Sequence, residues 1–254
     1  MLPFSGLSPL MFINGLGTAV PRQRYLQAEG WAALEASDVL PTLAPRSRSI
    51  LRKVLLGDNG IASRHLALNS LADALQLTPD ILHARFARHA PELATQAAQR
   101  ALESARIQPA EVDAVLVATC TGYLCPGLTS HVAERLGLRA SVTALDLVGL
   151  GCGAALPVLA QARALLLAGG ARQVLCICVE VCSAALYLDD DPGVLVSACL
   201  FGDGAAAVIC ASEPAAHARR LRWHTNASTL VPSERENLRF ETRGGMLRNI
   251  LTAD

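Results

Sequence analysis

Short apolar runs alternate along most of the chain with stretches of helical periodicity. Met11–Val20 reads as a strand, closed by Gly17 and Pro21, and residues 22–57 carry helical signals with a basic cluster at Arg46, Arg48, Arg52 and Lys53. Pro91 stands where the first turn of a helix is expected, and Leu93, Ala97 and Ala101 share one face of the helix that runs to Ser104. Val112–Ala118 is apolar and short enough for a buried parallel strand. Thr129–Leu136 predicts a helix stopped by Gly137, and Ser141–Leu147 another strand. Gly153–Ala168 is a helix apolar on nearly every face, ended by Gly169 and Gly170; Gln173–Val181 and Ala205–Ala211 are two further strands. This alternation at βαβ spacing predicts an α/β fold with a parallel or mixed sheet. A helix apolar all round has to be covered on all sides, so it is expected between two sheets, in an architecture of more than three layers.

Composition narrows the function. Basic and acidic residues balance at 22 each, so no positive excess is present to neutralise phosphates, which argues against a nucleic-acid binder. An apolar content of 52% with 17% charged residues excludes a disordered chain. The most apolar stretch, Leu147–Leu167, contains Gly149, Gly151, Gly153, Pro157, Gln161 and Arg163, and reads as a buried helix with its approach, not as a membrane span. Met1–Leu10 has neither a basic n-region nor periodicity; no signal peptide is expected, residues 1–10 read as a doubtful extension, and Met11 as a candidate start. Seven of the eight cysteines lie in or beside apolar runs, where a thiol acts as a small hydrophobe, and the expectation is reduced thiols in a cytoplasmic protein. Cys176, Cys178 and Cys182 lack C-x-x-C spacing and a nearby histidine, so no metal site is expected there.

Cys152 stands apart. Asp146-Leu-Val-Gly-Leu-Gly-Cys-Gly-Ala-Ala reads as a strand, a glycine turn and the start of the apolar helix. A cysteine so placed faces unpaired backbone N–H groups and the positive end of the helix dipole, which favour a thiolate and can hold an oxyanion. Gly151 and Gly153 leave room for a thioester. These ten residues leave two readings open, a nucleophile for acyl transfer and a buried cysteine beside a glycine turn. Neither a G-x-G-x-x-G nor a P-loop sequence is present.

Several segments, taken in order and spacing over almost the whole chain, resemble the type III polyketide synthases, the chalcone and stilbene synthase family of the thiolase fold. They are Ile13-Asn-Gly-Leu-Gly-Thr-Ala-Val-Pro, Ser63-Arg-His-Leu, Thr119-Cys-Thr-Gly-Tyr-Leu-Cys-Pro-Gly, Gly151-Cys-Gly-Ala-Ala, Leu200-Phe-Gly-Asp-Gly-Ala-Ala-Ala and Gly245-Met-Leu-Arg-Asn-Ile-Leu. The resemblance implies a thiolase-like layered α/β fold (αβαβα), of which this chain holds the N-terminal half: residues 11–238 as the first thiolase domain and 239–254 as the start of the second. It implies decarboxylative Claisen condensation of an acyl-CoA starter with malonyl-CoA through an acyl group on Cys152, in a homodimer, with CoA thioesters as substrates and no separate cofactor. Phe201 resembles the gatekeeping aromatic between CoA tunnel and cavity, its plainer alternative being a core phenylalanine at a strand start. Cys120, Thr121, Cys182 and Ala185 fall where the family lines its cavity, and Cys125 where a residue reaches into the partner's cavity. Plant chalcone synthases have threonine at the positions of Cys182 and Ala185, so a smaller, less polar wall and an aliphatic or otherwise non-coumaroyl starter are expected. Arg48, Arg52 and Lys53 are candidates for CoA phosphates, with a solvated helix face as the alternative.

The resemblance also calls for a histidine and an asparagine beyond the cysteine. His217 and His224 lie in a polar stretch with Arg219, Arg220 and Arg222, outside any family motif, and Asn249 belongs to the tail segment. A nucleophile without its partners loses most of its rate, so these 254 residues alone are expected to be inactive or limited to slow acylation of Cys152. The alternatives are a β-ketoacyl synthase III-like condensing enzyme and a non-catalytic remnant that dimerises with a full-length paralogue.

Overall fold

The computed structural model describes residues 11–217 and 221–252; residues 1–10, Arg219 and Arg220 lie outside them. In chain order the strands and α-helices are β1 (Met11–Ala19), β2 (Arg24–Leu26), α1 (Gln27–Glu35), α2 (Pro45–Leu56), β3 (Ser63–His65), α3 (Pro79–Ala105), β4 (Ala114–Thr119) and α4 (Leu128–Leu136). There follow β5 (Thr143–Val148), α5 (Ala155–Leu167), β6 (Gln173–Glu180), α6 (Pro192–Leu200), β7 (Gly204–Ala211), β8 (Leu221–Trp223), β9 (Leu238–Arg243) and β10 (Met246–Leu251). They divide into two compact units. The first comprises the described residues up to Ala19, Pro91–Val179 and Ala205–Ser228; the second comprises Val20–Ala90, Glu180–Gly204 and the chain from Thr229 on.

The first unit is built on a six-stranded mixed sheet of order β5-β4-β6-β7-β1-β8. β4 runs parallel to β5 and β6, and β1 antiparallel to β7 and β8. β4 is buried along its whole length, as its unbroken apolar run predicts for an interior strand. Leu116, Ala118 and Cys176 cluster with Ala154, Val158, Ala162 and Leu166, a stripe repeating every four residues along α5 and the residue before it. That stripe is all of α5 that is fully covered. Leu156 and Leu167 are 56% and 43% exposed, so the expected burial on every side is not met within the described residues. Packing on one sheet buries one stripe of a helix, however apolar its other faces.

α3 also departs from expectation. It begins at Pro79, twelve residues before Pro91, and Pro91 sits inside it. An internal proline forfeits a backbone hydrogen bond and crowds the preceding turn. The helix continues because Ala90, Leu93 and Ala94 around it are buried; the division between the units falls at this residue. Further along, α3 lies directly against β1, where the Leu16 N–H donates to Ser104 Oγ at 3.4 Å. Glycine permits this approach, since a Cβ at Gly17 would collide with the Ala97 carbonyl and the Ala101 nitrogen. Gly17→Ala is therefore expected to destabilise by about 1–3 kcal/mol through overpacking. Gly170→Ala, which meets no atom within 4 Å, should stay within about 0.5 kcal/mol of wild type. Urea denaturation of both variants checks the difference.

In the second unit α1, α2 and α6 share a core of Trp31, Leu34, Leu51, Leu55, Leu195 and Cys199. α2 buries Ser47, Leu51 and Leu55. The β9–β10 hairpin is tied to the segment before α6 by Arg248, whose guanidinium meets Asp189 at 2.7 Å, Asp191 at 3.2 Å and Glu241 at 3.0 Å. Asp191 also caps α6, accepting from the N–H groups of Gly193 and Val194. The tail thus groups with residues 20–90 and 180–204.

Candidate active site

β4 and β5 pair in parallel with Thr119 opposite Val148, so Cys120-Thr121 and the Gly149–Cys152 turn leave neighbouring strands at the same sheet edge. The carboxyl edge of parallel strands is where α/β sheets place ligands. Gly149 and Gly151 have φ of 77° and 61°, left-handed conformations that a side chain would strain. Between them and α5, Gly151–Gly153 forms a single 3-10 turn with Cys152 at its centre. Cys152 therefore precedes the α-helix proper by three residues, and it is exposed, which removes the reading as a buried structural cysteine. A Cβ built on Gly153 meets no atom within 4 Å, so the space beside the thiol is open.

The Cys125 loop is bound to the same region of the first unit. Asp146 on β5 accepts from the Thr129 N–H at 3.2 Å and from the Thr129 hydroxyl, and a Cβ on Gly127 would overlap its carboxylate. Cys125 is exposed, precedes a cis proline, and hydrogen-bonds Tyr123, whose phenol it shifts upward. Cys120, Thr121, Cys125 and Cys152 thus share one unit, and the parallel register and Asp146 draw their segments together. No local pattern in the sequence points to Asp146, because its partner Thr129 lies 17 residues away across a helix.

Phe201, Cys182, Ala185, Arg48, Arg52 and Lys53 belong to the second unit. Cys182 opens a 3-10 turn that Ala185 ends. This turn is joined to the Phe201-Gly-Asp segment by Asp203, which accepts from the Ser183 N–H at 2.8 Å, the Ser183 hydroxyl at 2.6 Å and the Ala67 N–H at 2.6 Å. Burial raises the Asp203 pKa, while these bonds and Arg85 act in the opposite sense. Arg85 is buried too, donating to the Ser183 and Asp73 carbonyls, and its own pKa is lowered by burial. Phe201 follows α6 and is 44% exposed, which sets aside the alternative of a core phenylalanine. Arg48 is half-buried, and Arg52 and Lys53 are exposed on α2. Among the described residues no group of three or more His, Cys, Asp and Glu could hold a metal, and no helix is long and apolar enough to cross a membrane. His217 and His224 are exposed, and His224 lies against the Arg222 guanidinium.

A mixed sheet that presents an exposed thiol on a glycine turn at the carboxyl edge of its parallel strands defines the class, an α/β protein. Comparison with known proteins gives the family. The FAE1/type III polyketide synthase-like family matches residues 36–231, and the chain belongs to it. It is 30% identical over 214 residues to an alpha-pyrone synthesis polyketide synthase-like protein of Mycobacterium tuberculosis, covering 82% of this chain and 53% of that one. To the 1,3,6,8-tetrahydroxynaphthalene synthase of Streptomyces peucetius it is 33% identical over 222 residues, 85% of this chain and 56% of the other. The chain spans about half the length of these relatives. The polyketide synthase PKS-I of the brown alga Ectocarpus siliculosus has the same fold, with a TM-score of 0.86 at 21% identity over 98% of this chain and 69% of that one. The type III polyketide synthase domain of Steely1 from Dictyostelium gives 0.82 at 24% identity, over 96% and 68%. The fold is thiolase-like.

Proposed function

We propose that this chain carries the acyl-accepting part of a polyketide-forming condensing enzyme. The observation that supports it most is the exposed Cys152 thiol on its glycine turn, beside open space, in a member of this family. The Cys152 thiolate attacks the carbonyl of an acyl-CoA, the C–S bond to CoA breaks, and CoA leaves as its thiolate, which takes a proton from water. Malonyl-CoA then loses carbon dioxide, its α-carbon bonds to the acyl carbonyl, and the Cys152 thiolate departs. Phe201 guards the acyl path, Cys120, Thr121, Cys182 and Ala185 line the cavity, and Arg48, Arg52 and Lys53 meet CoA phosphates. Residues 11–238 form the first thiolase domain and 239–254 open the second. The working form is a cytoplasmic homodimer, with Cys125 directed at the partner's cavity. The family match favours this reading over a β-ketoacyl synthase III-like enzyme.

The apolar Cys182 and Ala185 positions suit an aliphatic starter. Incubation with octanoyl-CoA and with p-coumaroyl-CoA, followed by intact mass analysis, should show faster acylation by the aliphatic thioester. Equal or faster acylation by p-coumaroyl-CoA overturns that preference. No acyl adduct with any thioester overturns the function itself.

A further inference from the structure

Ser63-Arg-His forms the three-residue strand β3, which pairs with β2. One side chain of this strand reaches the far end of α6. Arg64 Nε donates to Gln27 Oε1 at 3.0 Å, and its Nη1 donates to the carbonyls of Ala198 at 2.8 Å and Phe201 at 2.9 Å. Gln27, itself buried, donates from Nε2 to the Cys199 carbonyl at 2.8 Å. Two side chains therefore hold three of the four carbonyls from Ala198 to Phe201, where a helix end leaves acceptors without partners. On the other side of Phe201, the Asp203 N–H donates to the His65 carbonyl at 2.9 Å, and a Cβ on Gly202 would come within 3.2 Å of that same oxygen. β3 thus grips the chain both before and after Phe201, while Phe201 itself stays exposed. A planar fork is needed for this: Nε and Nη1 of one guanidinium serve three acceptors at fixed angles, which a lysine ammonium cannot reproduce. Burial lowers the Arg64 pKa by taking the cation out of water.

We propose that Arg64, backed by Gln27, is a positioning residue that fixes the backbone around Phe201 and thereby sets which acyl chains Phe201 admits. The inference rests on the reading of Phe201 as a gate, and the experiment separates the two. The full 254-residue chain is produced with para-fluorophenylalanine, and Phe201→Leu identifies the Phe201 signal among those of the five phenylalanines by fluorine NMR. Arg64→Lys, which keeps the charge and loses the fork, should shift or broaden the Phe201 signal and leave the other four in place. Gln27→Ala should move the same signal by less. The ratio of Cys152 acylation rates for lauroyl-CoA and butyryl-CoA should change with it, by roughly tenfold, the scale of one lost charge-assisted hydrogen bond. A Phe201 signal that stays in place in both variants overturns the positioning role. So do five signals that move together in both, since that marks a general loss of packing. A moved signal with an unchanged ratio overturns the link to acyl selection. An unchanged ratio in Phe201→Leu removes the gate reading, and with it that link, while the ring signal still reports what Arg64 holds.

Discussion

Cys152→Ala is expected to abolish acyl transfer from CoA thioesters to the protein. The covalent adduct seen by intact mass should disappear, and any chain-extending activity should fall by up to ~10⁶-fold, the scale for loss of a catalytic nucleophile. The other cysteines are poor substitutes, for reasons visible in the structure. Cys176, Cys199 and Cys210 are buried. Burial pushes the Cys199 thiol up to about 11, and a hydrogen bond to Cys210 together with burial raises Cys176 well above the ordinary thiol value. Since the thiolate is the nucleophile, these groups are inert at neutral pH. Cys125 shares exposure with Cys152, and α4 follows it at Leu128 as α5 follows Cys152, but Pro126 has no N–H and the Thr129 N–H at that helix end is already taken by Asp146, so fewer donors are left for a developing oxyanion. Peptide mapping should therefore place the acyl group on Cys152, and alkylation by iodoacetamide near neutral pH should be fastest there. An adduct that persists in Cys152→Ala, or that maps to Cys125, overturns the nucleophile assignment.

The largest effect on stability is expected at Asp203, which is 4% exposed. Asp203→Ala strands the Ala67 N–H and both the N–H and hydroxyl of Ser183. It also takes the countercharge from the buried Arg85. Removing one member of such a buried network costs about 3–5 kcal/mol, because the uncompensated groups cannot reach water. Urea denaturation should show the midpoint fall without a change of slope. The pH dependence has a definite sign. Burial, the largest influence, raises the Asp203 pKa above its unfolded value. The group's protonated form is thus favoured by folding, and its contribution is fully present below the ordinary carboxylate range and lost as pH rises through the elevated folded pKa. The stability advantage of wild type over Asp203→Asn should accordingly shrink as pH is raised through that range. An advantage that grows instead would show that the hydrogen bonds outweigh burial.

Much of the first unit is legible in the sequence. β4, β6 and β7 are short apolar runs bounded by turns, and strands buried inside a sheet need no alternation; β5 is legible from its β-branched and aliphatic residues although it lies at the sheet edge. The glycine pattern around Cys152 is legible for a related reason: Gly149 and Gly151 mark local backbone conformations that depend on no distant partner. Legibility ends where distant groups decide. Pro91 looks like a helix start because local propensity places it there, and buried neighbours carry α3 through it. The basic residues of α2 read equally as a CoA-binding set and as a solvated face, since charge pattern alone holds no information about what stands opposite.

The sequence by itself determined the alternation of strands and helices, the glycine turn that presents Cys152, and the family, because these are encoded in residues close together or in motifs kept in order. Only the tertiary structure decided that one stripe of α5 is covered, that Asp146 ties down the Cys125 loop, and that Arg64 and Asp203 clamp the chain on either side of Phe201. Arg64 lies 137 residues from the carbonyl it holds. A hydrogen bond of that span depends on where folding brings two segments, and neither segment carries a local pattern that names the other.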